Sequence, residues 1–201
     1  RENLLVGGLH RDRPAHDFFG HKLIGFSETD TRIKVAVFTH DKKSHDVFCK
    51  FPIGADGARS DVRQKLGIKM IGETYPQDWV IVDTKNDPDQ EPVSKFYCRR
   101  DRPYVSIPAP DAGRRYEYRV QQEDGHQKLL DFDNIRERLS SIRSIRPKDI
   151  IRSTIYTFEA KIAERWRCGR TLLAGDAAHL TPPFAGQGLN NGLRDVHNLA
   201  W

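Results

Sequence analysis

The stretch Arg170-Thr-Leu-Leu-Ala-Gly-Asp-Ala-Ala-His-Leu-Thr-Pro-Pro-Phe-Ala-Gly-Gln-Gly-Leu-Asn-Asn-Gly-Leu-Arg-Asp195 decides the fold class. Thr171 to Ala174 reads as a short apolar strand, and Gly175 as a sharp turn. Asp176 follows at the carboxyl end of that strand, the edge where open α/β sheets place their ligands. A single carboxylate there can accept hydrogen bonds from sugar-like hydroxyls. Pro182 and Pro183 fix the backbone of the next loop, and Gly186, Gly188 and Gly192 let the main chain approach a flat ligand. A helix starting near Gly188-Leu189 points unpaired N–H groups and a partial positive charge at whatever lies above it. A ring that becomes anionic would be stabilised there. Gly-Asp alone better suits an ordinary strand–turn–helix with Asp176 as a cap. The whole run, with two prolines and Gly-Gln-Gly at fixed distances, is much more specific and suits a long, flat, polar-edged cofactor.

Working outward, a second turn of this kind occurs in Gly54-Ala-Asp-Gly-Ala-Arg-Ser-Asp-Val-Arg63. Asp56 sits in a tight turn that needs glycine conformations. Ser60 reads as an N-cap, with Asp61 in the first turn of a short helix through Leu66. An ordinary βα turn is the alternative, and Lys50 interrupts the apolar approach. Before it, Leu23 to Phe26 and Ile33 to Phe38 alternate as strands around the Glu28-Thr-Asp-Thr31 turn, and Asp46 to Ile53 reads as a third. Glu2 to Leu9 reads as the tail of a helix ending at Gly7-Gly8.

Between the two motifs the composition changes. Trp79 to Asp83, Val93 to Cys98, Tyr104 to Ile107 and Arg115 to Val120 read as four strands of one antiparallel sheet. Ile135, Leu139 and Ile142 give Phe132 to Ile145 a helical period, and Ile150 to Phe158 returns as a strand. The chain is therefore expected to be mixed α/β. Residues 1–75 and 161–201 would form parts of one nucleotide-type domain, and 76–160 a sheet module set into it.

The totals restrict the class. The chain has 201 residues, 37% hydrophobic and 30% charged, enough for one sizeable domain or somewhat more. No run of about 18 apolar residues exists, so no membrane span is expected, and no secretory h-region follows Arg1. Cys49, Cys98 and Cys168 lack metal-ligand spacing and read as reduced thiols of a cytoplasmic protein. From Arg136 to Arg170 ten Lys/Arg face four Asp/Glu, a surplus that exceeds the net charge of +5. Aromatic interleaving is absent there. A solvated helix face beside an anionic cofactor is favoured over a nucleic-acid patch, and no nucleic-acid partner is expected.

Both glycine motifs resemble those of the FAD-dependent aromatic hydroxylases of the para-hydroxybenzoate hydroxylase fold. Gly54 to Arg63 is similar to their Asp-Gly motif, and Gly175-Asp176 through Asn190 to their Gly-Asp motif and flavin loop. Asp78-Trp-Val-Ile-Val-Asp83, Arg102-Pro-Tyr-Val-Ser106 and Arg114-Arg-Tyr-Glu-Tyr118 are similar to the 3-(3-hydroxyphenyl)propionate hydroxylase branch. The likeness runs from about Leu23 to Trp201. It implies a partial Rossmann-like FAD domain interrupted by an antiparallel substrate sheet.

The resemblance also implies roles. Asp176, beside Gly175, would bind the ribityl hydroxyls of FAD. The backbone of Gly188, Leu189 and Asn190, reached through Gly186, would hold the pyrimidine edge. Asp56 and Gly57 would lie near the ribose and pyrophosphate. Pro183 would shape the face where the flavin hydroperoxide meets substrate, and Arg115 resembles an arginine that reaches over the flavin from the substrate sheet. These two are the candidates nearest the chemistry; a solvated strand arginine is the alternative for Arg115. Arg102 and Tyr104 are candidate substrate contacts, with core filling the alternative for Tyr104. Arg1, with Leu4 one turn on, would match a flavin-contacting arginine. His179 falls in the flavin loop, where packing or capping is expected. The implied reaction is NAD(P)H reduction of FAD, oxygen capture as a flavin hydroperoxide and hydroxylation of a phenolic or aromatic substrate, with no metal. A homo-oligomer is left open.

The family's opening strand and Gly-x-Gly-x-x-Gly turn have no counterpart here, so the chain is expected to be an internal fragment that alone binds FAD weakly or not at all and is inactive. Two alternatives stay open: a catalytically inactive remnant acting as a binding or interaction module, and a flavoprotein that epoxidises or oxidises without aromatic hydroxylation.

Overall fold

A computed structural model describes residues 7–8, 16–125, 128–183 and 186–200. The expected helix tail from Glu2 and the role of Arg1 lie outside the described residues, apart from helical turn at Gly7-Gly8. The chain divides into two compact units. The first comprises Arg1–Lys69, Ala163–Ala178 and Gly192–Trp201, and the second Met70–Ile162 and His179–Asn191.

The first unit opens with an antiparallel meander of β1 (Lys22–Glu28), β2 (Ile33–Phe38) and β3 (Ser44–Cys49). β3 does not continue to Ile53, as the apolar run suggests. Pro52 has no N–H to give a ladder, and the chain re-enters a sheet as β4 (Ile53–Gly54) with a different partner. That partner is β11 (Thr171–Leu173), which pairs with β4 in parallel, Leu172 opposite Ile53 and Leu173 opposite Gly54. β10 (Arg167–Cys168) closes the far side as a hairpin. Between the strands of the pair lies α1 (Asp61–Lys65), capped by Ser60, whose Oγ accepts the Arg63 N–H at 2.9 Å.

The second unit is a six-stranded sheet in the order β12-β9-β5-β8-β7-β6. Its strands are β5 (Met70–Thr84), β6 (Lys95–Tyr97), β7 (Tyr104–Ala109), β8 (Gly113–Arg119), β9 (Ile150–Ala163) and β12 (His179–Leu180), with the end residue Ala163 of β9 in the first unit. β5 and β9 are much longer than their apolar segments, whereas β6 is shorter than Val93 to Cys98. Period-2 alternation separates the faces. Val80, Val82, Tyr116 and Tyr118 turn to one side and pack with Leu129, Ile135, Leu139 and Ile145 into the core. Ile135 and Leu139 stand one turn apart on α2 (Phe132–Leu139).

α2 ends six residues before the expected Ile145. Ser140 turns its hydroxyl back onto the Glu137 carbonyl at 2.6 Å, a local bond that competes with continued helix. Ile145 still enters the core from the following loop. The basic segment is largely paired: Arg138 meets Asp124, Arg143 and Arg146 meet Asp149, Arg152 meets Asp83 and Arg170 meets Glu28. α3 (Gln187–Leu199) leaves Leu189, Leu193 and Val196 exposed. Among the described residues no helix is long and apolar enough to cross a membrane.

Candidate functional site

In the first unit, parallel pairing sets two turns side by side at the carboxyl ends of β4 and β11. The Ala174 N–H donates to the Gly54 carbonyl at 2.9 Å, so both motifs leave the sheet together. Glycine is required at position 54, because an added Cβ would stand 2.8 Å from Val62 Cβ and 3.0 Å from Leu173 Cδ2. That close approach lets α1 lie against the strand pair. Arg63, buried on α1, donates to the Ala177 carbonyl at 3.0 Å and the Ala58 carbonyl at 2.9 Å, bolting one turn to the other.

The two acids of these turns differ. Asp56 accepts from Ser60 Oγ and from the Val62 N–H at 3.0 Å, so its carboxylate is spent on the start of α1. Gly57 beside it has φ +83° and open space around it. Asp176 lies in a 3-10 turn, Gly175–Ala177, exposed, and accepts no hydrogen bond from a described residue. Gly175 enters that turn at φ +60°, a left-handed conformation. Its N–H donates to Asp195 Oδ2 of α3 at 2.8 Å. Gly192 stands close to it, an added Cβ there falling 3.5 Å from Gly175 Cα.

In the second unit, β12 pairs with β9 and carries the chain into Thr181-Pro182-Pro183. The Pro183 carbonyl accepts the Gly186 N–H at 2.9 Å, closing the loop immediately before α3. Thr181 Oγ1 is buried and has no hydrogen-bond partner among the described residues. It lies 3.8 Å from where a Cβ on Gly188 would stand. Leu189 and Asn190 are exposed on the first turn of α3, whose N–H groups find no carbonyl within the helix. The first unit, by itself, thus offers an unspent carboxylate at Asp176. The second, by itself, offers backbone donors and a Thr181 hydroxyl without a partner among the described residues. His179 is buried in β12.

The sheet candidates sort differently. Arg102 is buried and grips Asp124 with both terminal nitrogens, one at 2.7 Å, and also donates to Gln121 and the Arg119 carbonyl. Burial, the largest single influence, would raise the Asp124 pKa, but the Arg102 hydrogen bonds, the Gln121 amide and the charges of Arg102 and Arg138 together outweigh it and hold the carboxyl below its usual range. The Tyr104 hydroxyl donates to the Arg138 carbonyl at 2.7 Å, inside the core. Tyr104 is therefore occupied in holding the sheet against α2, and Arg102 in tying it to the Gln121–Asp124 turn. Arg115 lies on the opposite face, half-buried, in a two-point pair with Asp83 at 2.7 and 3.1 Å. That pair raises its pKa further.

Arg63 and Asp195 are the residues that sequence reading passes over. No local feature tells that Arg63 of the helix is buried while Arg59 before its cap is exposed, and Asp195 stands 20 positions from the amide it accepts.

A model of the FAD binding domain family matches residues 2–201. A 3-(3-hydroxyphenyl)propionate/3-hydroxycinnamic acid hydroxylase of Comamonas testosteroni is 36% identical over 201 residues, 100% of this chain and 34% of the relative. A protein of the same description from Burkholderia cenocepacia is 38% identical over 183 residues, 90% of this chain and 34% of its own. The chain thus spans about a third of the length of these curated relatives. Among solved structures, an anhydrotetracycline hydroxylase from Streptomyces rimosus superposes with a TM-score of 0.73 at 27% identity, covering 100% of this chain and 40% of that one. A p-nitrophenol 4-monooxygenase from Pseudomonas putida gives 0.77 at 24% identity, covering 90% and 47%, a likeness of fold.

Proposed function

The chain belongs to the FAD binding domain family of flavin-dependent aromatic hydroxylases, and from that premise we propose that it supplies part of the flavin site and the substrate sheet of a monooxygenase. The reaction is hydroxylation of a small phenolic or aromatic compound with NAD(P)H and O₂. The observation that carries this reading is Asp176, exposed and unspent at the carboxyl end of the β4–β11 pair. That is where an acceptor for ribityl hydroxyls belongs.

Other residues fit the same group. The Thr181 hydroxyl, beside Gly188 and without a hydrogen-bond partner among the described residues, and the backbone at the start of α3 supply donors suited to a pyrimidine edge. Gly57 gives room for a close approach of ribose or pyrophosphate, while Asp56 acts indirectly by fixing the turn. FAD, when bound, supplies the redox and oxygen chemistry, and the protein orients reactants and excludes water. Pro183 stiffens the loop that leads into α3. Arg115, held by Asp83, presents a fixed positive charge from the sheet, and Arg102 and Tyr104 keep that sheet in place.

The test is a flavin spectrum and an NAD(P)H oxidation assay on the whole gene product. Bound FAD, with NAD(P)H consumption stimulated by a phenol and a hydroxylated product, supports the proposal. A protein that binds the phenol without flavin or turnover would instead be an interaction module.

A further inference from the structure

The sheet of the second unit has two unlike faces. On one, Val80, Val82 and Tyr118 are fully buried. The other carries three cross-strand pairs in register: Trp79 with Arg119, Ile81 with Glu117 and Asp83 with Arg115. Val105 of β7 lies opposite Glu117 on its other side. This face is covered less completely, and Trp79, Asp83, Arg115 and Arg119 all keep some exposure.

The charges on it are unevenly matched. Arg115 pairs with Asp83 at two points, and Arg152 of β9 reaches the same carboxylate at 3.3 Å. Glu117 is 7% exposed, and no described residue donates a hydrogen bond to it. A carboxylate so buried is costly unless something binds it. At the other end of the face Trp79 stacks on Phe158, with centroids 5.4 Å apart and planes at 22°, and Tyr156 tilts against Phe158 at 5.6 Å. An aromatic shelf, an unspent acceptor and a fixed ion pair therefore follow one another along β5 and β8.

We propose that Glu117 is a ligand-binding residue whose carboxylate accepts a hydrogen bond from the hydroxyl of an aromatic ring laid on this face. This rests on the hydroxylase reading and adds the group that recognises the hydroxyl already on the substrate. A cationic donor does not suit the place, because Arg115 and Arg119 flank Glu117 on the same strand face. A neutral hydroxyl meets no such repulsion. Burial raises the Glu117 pKa; Arg115 opposes the shift and Asp83 adds to it. The charged groups on the strands around it are Asp83, Arg115, Arg119 and Arg152, so hydroxyl recognition is lost with acid at a pH above the ordinary carboxylate range.

The test compares 3-(3-hydroxyphenyl)propionate with its methyl ether, binding each by calorimetry to the whole flavin-loaded gene product. The phenol should bind about tenfold or more tightly, the worth of a hydrogen bond to a charged group. Glu117→Leu should erase that preference. Glu117→Gln, which keeps an acceptor, should retain part of it and make it independent of pH, whereas the wild-type preference falls with acid. Should the leucine variant fail to fold, the glutamine variant and the wild-type pH profile decide. A preference that is absent in the wild type, or unchanged in both variants, overturns the assignment of Glu117 and leaves the hydroxylase reading standing. Binding of neither compound to the wild type overturns both.

Discussion

The Gly175 amide donates to the Asp195 carboxylate at 2.8 Å, across 20 residues of sequence. The bond ties the left-handed turn after β11 to the body of α3, so the position of Asp176 is set from both sides. Asp195→Ala should destabilise the protein by about 1.5–3 kcal/mol, the range for a hydrogen bond to a charged group. Asp195→Asn keeps an acceptor and should recover part of the loss. Urea denaturation of the three proteins checks this; equal midpoints would mean that the turn is held by other contacts.

Asp176 itself accepts nothing from the described residues, and it is exposed. Asp176→Ala should therefore leave the unfolding midpoint of the flavin-free protein unchanged. Its effect should fall on the cofactor, weakening FAD binding by about tenfold or more. Fluorescence titration of apoprotein with FAD measures the second quantity, and an unaltered Kd would remove Asp176 from the site.

Asp124 is the opposite case, a carboxylate whose role lies in the fold. It receives Arg102 and Arg138, and its own side chain is 1% exposed. Asp124→Ala leaves the buried Arg102 without its carboxylate, with only the neutral Gln121 and Arg119 carbonyl oxygens to meet its charge, and should cost about 3–5 kcal/mol. Because the folded-state pKa is depressed, the stabilisation is present above the ordinary aspartate value and is lost as pH falls through the lower folded one. The gap between wild type and variant in denaturant midpoint should accordingly be full at neutral pH and narrow in strong acid.

Glu117 carries the reverse sign. Its folded pKa is raised, chiefly by burial, so its contribution is most favourable below the ordinary glutamate value and declines as pH rises through the folded one. Glu117→Gln should make the protein more stable than wild type at neutral pH, with the difference shrinking toward about pH 4, near the unperturbed value. Such a gain is expected of a residue kept for binding rather than for the fold. Thermal unfolding at the two pH values checks it, and a less stable variant at neutral pH would mean that the carboxylate serves the fold.

Much of this architecture is legible locally. Ser60 caps α1 through its own side chain three residues on, and β2, β7 and β8 follow alternation that neighbouring residues set. What fails locally is pairing at long range. The apolar run into Ile53 looks like one strand, but Pro52 divides it and the second part pairs with Leu172, more than 100 positions away. Ile142 keeps the helical period past the end of α2, because period records which side faces the core and not whether the backbone is still helical. Arg102 and Asp56 read as ligand contacts by type and motif. Their carboxylate and carbonyl partners at Asp124 and Arg119, or amide partner at Val62, become visible only in three dimensions.

The central claim is that this chain is part of an enzyme that inserts oxygen into an aromatic ring. Mass spectrometry of the product formed by the whole gene product from 3-(3-hydroxyphenyl)propionate, NAD(P)H and ¹⁸O₂ tests it most directly. The account predicts a ring-hydroxylated product carrying one labelled oxygen, in an amount that follows NAD(P)H consumed. An unlabelled product, or NAD(P)H consumption that yields only peroxide, would contradict it.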